Sequence, residues 1–290
     1  MAVAATESGT HTVERDVVPP GPYRLPGAGR DGVLVRREGA LVRAVSHEGE
    51  TALVRAWVAG GRVRLRAEAP TRATALRAIE RMRFALGTDH DLSAFHRGFR
   101  RDTLVGPVIR QRPWLRPRRR PEPFEALAWA VSEQLIDSPR AFAIQRSIVR
   151  RLGASTGDGA YQLPPTAARL ATAAPAELGA CGLAPKRSIA LIRAAREVAS
   201  GRADLSQHEC TWRRLLTIPD IGSWTIEMLA FEGQGRDDML PALDLAYVKL
   251  VGRTAHGGRR ATEEEVRAFF APYQEYAGLA GIYALGRRYL

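Results

Sequence analysis

Residues 215–230 read LLTIPDIGSWTIEMLA, and this stretch decides the fold of the C-terminal half. One helix ends near Thr217, Pro219 fixes φ in the turn, and Gly222 allows a φ that other residues avoid. A second helix opens near Ser223, where the hydroxyl of Ser223 or Thr225 can satisfy an orphan amide of the first turn. Two helices joined this way turn the backbone N–H groups of Ile221, Gly222, Ser223, Trp224 and Thr225 toward one spot. Such a spot holds a phosphate through amides and the helix dipole. The alternative is an ordinary helical corner in a core.

Downstream, residues 236–253 read RDDMLPALDLAYVKLVGR. Met239, Leu240 and Pro241 form an apolar turn, and Asp244 opens a helix carrying Leu245, Val248 and Leu250. A carboxylate in that place is most often only an N-cap. Upstream, almost everything after Phe124 has helical patterning, with segments at 124–136 and 140–152. In a third, at 186–200, Ile189, Ile192, Ala195 and Ala199 share a face. Ser206–Glu209 and Thr262–Glu265 fit capping boxes.

Earlier still the pattern changes. Val33–Arg37, Leu41–Val45, Leu53–Val58 and Val63–Ala67 are strand-like runs, and Gly60-Gly61 marks a tight hairpin. A helix follows at 72–86. The run RQRPWLRPRRRPEP, residues 110–123, is broken by four prolines. It is either a solvated linker or a phosphate-contacting strap. The expected architecture is α+β: a flexible arm over residues 1–20, an antiparallel sheet domain over 21–109 and a helical domain over 110–290.

Composition sets the partner class. The chain has 290 residues and a net charge of +12, and all but two of its 43 basic residues are arginine. Such a balance favours a polyanion, either nucleic acid or an anionic membrane surface. Two cysteines, Cys181 and Cys210, exclude a disulfide framework and any four-cysteine metal site. No apolar run approaches the roughly 20 residues that span a bilayer, and Met1–Glu14 has no secretory pattern. His90 and His96, flanked by Asp89 and Asp91, fit no common metal-ligand spacing.

Together, the hairpin and the Leu-Pro-Ala-Leu-Asp helix start resemble the helix-hairpin-helix superfamily of DNA glycosylases, and within it the 3-methyladenine DNA glycosylase II type. The resemblance extends to PFEALAWAVSEQLIDSPRAFAIQRSIVRRLG (123–153) and LAPKRSIALIRAAREVASG (183–201). It implies an enzyme that flips a damaged base out of duplex DNA and hydrolyses its N-glycosidic bond, a cytoplasmic, nucleoid-associated bacterial monomer initiating base excision repair. Asp244 matches the catalytic aspartate, stabilising oxocarbenium-like charge and orienting or deprotonating the attacking water. Leu135 matches the DNA-intercalating wedge, with Gln134 against the opposite strand. Trp224 stands where strand-nicking relatives carry a Schiff-base lysine, which implies no lyase activity. The same residue, with Tyr276, Met228 and Leu245, matches the base pocket, where an aromatic face attracts a cationic base.

Departures are local. Asp220 replaces the usual first glycine of the hairpin and puts a carboxylate beside the phosphate spot, and Met228 and Leu245 replace pocket aromatics. The resemblance implies no cofactor beyond an alkali cation at the hairpin. The competing reading is a non-catalytic helix-hairpin-helix protein that only binds DNA.

Overall fold

The computed structural model describes residues 10–286. Five antiparallel strands form the first layer: β1 (His11–Val17), β2 (Val35–Arg37), β3 (Ala40–His47), β4 (Glu50–Ala59) and β5 (Arg62–Ala69), in the order β1-β5-β4-β3-β2. Period-2 burial explains the sheet. Ala52, Val54 and Ala56 of β4 and Val63, Leu65, Ala67 and Ala69 of β5 all point to one face. That face is covered by α1 (Arg72–Leu86) through Ala75, Ala78, Ile79, Met82 and Leu86. Thr71 caps α1 by accepting from the Thr74 amide at 3.2 Å. The Gly60-Gly61 turn is as expected, with both residues at positive φ.

One expectation fails at the start of the chain. Residues 11–17 are not an arm but the edge strand β1, in register with β5 from His11↔Ala69 to Val17↔Val63. Only Val13 and Val17 of β1 are buried, so five polar or exposed positions make it read as solvated chain. Residues 1–9 of the expected arm lie outside the described residues.

The remainder is helical apart from a two-stranded ribbon, β6 (Ala154–Ser155) with β7 (Gln162–Leu163). The helices in order are α2 (Ser93–Phe99), α3 (Gly106–Gln111), α4 (Pro123–Glu133), α5 (Ser138–Leu152), α6 (Ala167–Ala171), α7 (Pro175–Gly179) and α8 (Pro185–Ala199). They continue with α9 (Glu209–Leu216), α10 (Ser223–Met228), α11 (Leu245–Ala255), α12 (Glu263–Phe270) and α13 (Ala277–Gly286). Two helical cores result. One gathers Leu127, Trp129, Ile148, Leu191, Leu215 and Ile226. The other packs Phe95, Val105 and Val108 against Tyr247, Phe270 and Tyr283. Helices α2 and α3 thus belong with the C-terminal helices, and the packing boundary falls near residue 90, before the expected 110. Thr262 and Glu265 form the expected capping box of α12. Ser206 does not start α9; its amide bonds Asp204 Oδ1 at 2.9 Å in a local turn, and His208 precedes the helix. Among the described residues no helix is long and apolar enough to cross a membrane.

Arg119 and Arg120 of the proline-broken strap turn into the protein. Arg119 bonds Asp237 at 2.9 Å. Arg120 reaches Asp31 at 2.7 Å, Glu125 at 3.4 Å and Glu232 at 3.6 Å, and its backbone amide bonds the Glu232 carbonyl at 2.8 Å. Arg43 of β3 also pairs with Glu125. These bonds tie the sheet domain to the helices through nearly buried charges. Burial pushes the Glu232 carboxyl up to about 7, against the pull of Arg120. Burial also opposes ionisation of Asp31, but Arg120 and Arg43 outweigh it and hold its carboxyl below the usual range. Only Arg118 of the 118–120 triplet is exposed.

Candidate active site and nucleic-acid interface

The hairpin forms where the sequence places it. Helix α9 ends at Leu216, and buried Ile218 and Ile221 pin the turn into the first helical core. Helix α10 starts at Ser223 and runs on through a π-helical turn at Leu229–Gly233. The left-handed residue is not the expected one. Gly222 is extended, at φ −109° and ψ −176°, and Asp220 takes φ +68°. Aspartate is among the few residues that visit this region readily. Nothing within the chain requires glycine at 222, since that φ suits any residue and a Cβ there would meet nothing within 4 Å.

The amide set is narrower than expected. Ile221 N–H donates to the Ile218 carbonyl at 3.1 Å and Thr225 N–H to the Gly222 carbonyl at 3.1 Å, so both are consumed inside the turn. The amides of Gly222, Ser223 and Trp224 have no acceptor among the described residues. Neither Ser223 nor Thr225 caps α10.

Twenty residues after Trp224, Asp244 is the N-cap of α11. Its Oδ1 accepts from the Ala246 amide at 2.8 Å, and its Oδ2 accepts from Trp224 Nε1 at 3.3 Å. Both carboxylate oxygens are therefore oriented, one by the helix start and one by the hairpin. Leu243 and Leu245 on either side are 49% and 48% exposed, an apolar rim around a fixed negative charge. Met228, one turn along α10 from Trp224, is half-buried. The Tyr276 ring packs 5.6 Å from Phe95 and 6.2 Å from Phe99, partly buried against the second helical core. The structure thus ties Trp224 to Asp244 and leaves Tyr276 with an aromatic cluster.

At the end of α4 the chain turns sharply. Leu135 has φ +56° and is 103% exposed, an apolar side chain wholly in solvent on a strained backbone. Gln134 does not point outward with it. Its Nε2 donates to the Asp220 carbonyl at 2.8 Å and to Thr225 Oγ1 at 2.9 Å, so its amide is turned toward the hairpin.

Sequence reasoning missed three neighbours. Glu133 accepts from Gln145 Nε2 at 2.8 Å, and burial, with the Asp244 charge adding to it, pushes its carboxyl above the usual range. Glu232 lies in the Arg120 network described above. Arg187 of α8 donates to the carbonyls of Ser132 and Gln134 at 3.1 and 2.9 Å. Only Arg187 carried a signal, the Pro185-Lys186-Arg187 start of its helix. His90 and His96 are committed to Asp237 at 2.7 Å and Tyr283 at 2.9 Å.

The site is thus a hairpin with three free amides whose Trp224 indole bonds the carboxylate that caps α11. In sequence the chain is similar to DNA-3-methyladenine glycosylases. It is 26% identical over 205 residues to DNA-3-methyladenine glycosylase of Bacillus subtilis, an alignment covering 67% of each chain. It is 31% identical over 178 residues to DNA-3-methyladenine glycosylase 2 of Escherichia coli, covering 60% of this chain and 61% of that one. The chain thus spans about two thirds of the length of these relatives. The solved 3-methyladenine DNA glycosylase of Archaeoglobus fulgidus shares the fold, with a TM-score of 0.77 at 20% identity over 89% of this chain and 90% of that one. No family model matches the chain.

Proposed function

We propose that this protein is a monofunctional DNA glycosylase that releases alkylated purines from duplex DNA. One observation carries the reading: the Asp244 carboxylate is fixed by the Ala246 amide and by Trp224 Nε1, at the exposed edge of a hairpin with three free amides. The relatives named above for DNA-3-methyladenine glycosylase activity support the substrate class. Phosphate held at Gly222–Trp224 brings the strand to the site, and Leu135 fills the gap that the flipped base leaves.

As the glycosidic bond lengthens, positive charge develops on the sugar, and the Asp244 carboxylate stabilises it. Water then attacks the sugar carbon from the carboxylate side, with Asp244 orienting it or accepting its proton. The purine leaves with the bonding electron pair. A methylated purine is already cationic, so it departs neutral without a general acid. The Trp224 ring, half-buried beside Asp244, presents an aromatic face to that cation. No lysine stands in the hairpin, and an exposed Lys186 and Lys249 on other helices offer no amine there for a Schiff base.

The test is a lesion panel. Purified protein should release methylated purines from alkylated duplex DNA and leave the abasic strand intact until alkali is added. Asp244→Asn should bind DNA with near-native affinity and lose base release by at least about 100-fold. Duplex binding without release from any lesion would establish a non-catalytic DNA-binding protein instead.

A further inference from the structure

The Leu135 turn poses a physical problem. A β-unbranched but bulky residue sits in the left-handed region with its side chain entirely in water, so neither local preference nor burial holds it there. Something outside the turn must. The bonds around it identify what does. Arg187 reaches from the first turn of α8, and a single nitrogen, Nη1, donates to the carbonyls of both Ser132 and Gln134. Those carbonyls flank the last residue of α4 and lead directly into Leu135. On the other side, Gln134 Nε2 bonds Asp220 O and Thr225 Oγ1 of the hairpin. The turn is therefore clamped from α8 through its backbone and from α10 through a side chain.

We propose that Arg187 is a positioning residue for the wedge: through the Ser132 and Gln134 carbonyls it fixes the outward pose of Leu135, and through Gln134 it couples that pose to the phosphate-binding hairpin. The inference rests on the glycosylase reading and extends it to a residue that does not touch the reacting base. Arg187 Nε and Nη2 have no acceptor among the described residues, so the guanidinium can hold the turn with one nitrogen while the others stay available to a DNA phosphate. Binding of the strand and presentation of the wedge would then share one side chain. Lysine carries its charge on one nitrogen, which cannot serve the turn and a separate phosphate at once.

The experiment compares Arg187→Met and Arg187→Lys with wild type in three measurements on the full chain. Hydrogen exchange of the segment around residues 133–137 reports order of the turn with no DNA present. Single-turnover base release at saturating alkylated duplex reports insertion and chemistry. The salt dependence of duplex binding reports phosphate contact. Both variants should speed exchange in the turn and slow base release about tenfold, the loss of one hydrogen-bonding anchor. Arg187→Lys should keep the salt slope that Arg187→Met reduces by about one. Unchanged exchange, or an unchanged single-turnover rate with only weaker binding, would overturn the positioning role and leave a plain phosphate contact. Because exchange is read without substrate, failure of this inference is distinct from failure of the glycosylase reading, which would show as no base release by wild type.

Discussion

Replacing Leu135 by glycine should stabilise the fold and cripple the enzyme in the same variant. A left-handed backbone costs an L-residue about 1–2 kcal/mol, and Leu135 holds φ +56°. Its side chain is fully exposed, so removing it forfeits no buried contact. Glycine removes the steric cost but brings about 0.5–1 kcal/mol of extra unfolded-state entropy. The net is a gain of about 0.5–1 kcal/mol, or a Tm about 1–2 °C higher for a chain of this size. The wedge argues the other way. Burying a leucine side chain between bases is worth about 1.5–3 kcal/mol, so base release at subsaturating DNA should fall about 10- to 100-fold. Leu135→Ala separates the two effects, because it loses most of the wedge and keeps the backbone strain. It should match glycine in activity without gaining stability. Differential scanning fluorimetry and single-turnover release from alkylated duplex measure the two arms. A glycine variant less stable than the alanine variant, or one releasing base at the wild-type rate, would refute the argument.

Three further outcomes follow from the charges. Asp220→Gly removes an exposed carboxylate beside the free amides and suits φ +68°; duplex affinity by fluorescence anisotropy should rise about threefold at low salt, and an equal gain at high salt would exclude the electrostatic cause. Arg120→Met removes the ion-pair partner of Asp31 and Glu232, leaving Glu125 with Arg43, and should cost about 3–5 kcal/mol in urea denaturation, while the salt slope of DNA binding stays as in wild type; a lowered slope would mean that the strap meets phosphate after all. Glu232→Gln tests linkage: a carboxyl raised from 4.5 to about 7 adds stability below its unfolded value, and that contribution is lost as pH rises through 7. The Tm advantage of the glutamine variant should therefore grow from pH 5 to pH 8, and a pH-independent difference would contradict the assignment.

What could be read from the chain was what local chemistry dictates. The hairpin declared itself through Pro219 and Gly222, and Asp244 through a proline turn followed by a helix, because punctuation and capping act within a few residues. Strand β1 was hidden by its place at the sheet edge, where two buried valines in seven residues leave a polar pattern. The strap was hidden by its partners: a proline-broken arginine run reads as linker until Asp31, Glu125, Glu232 and Asp237, distant in the chain, close around it. Helices α2 and α3 are too short to show which core they serve, and the packing of Phe95 and Phe99 on Tyr273, Tyr276 and Tyr283 decides it.

The site shows the same division more sharply. Local reasoning assigned the unusual backbone to Gly222, the residue that tolerates it best, yet the strained positions are Leu135 and Asp220. These two left-handed residues are 85 positions apart and are joined by one side chain, since Gln134 precedes the first and bonds the carbonyl of the second. Neither conformation is therefore a property of its own segment. Each is imposed by a bond that exists only after α4, α8 and α10 have packed, and so the DNA-facing edge should be among the last parts of the helical domain to order and the first to loosen. Hydrogen exchange should accordingly protect α4 and α8 well beyond the turn and the hairpin. Equal protection of all four would show that the strain is held locally after all.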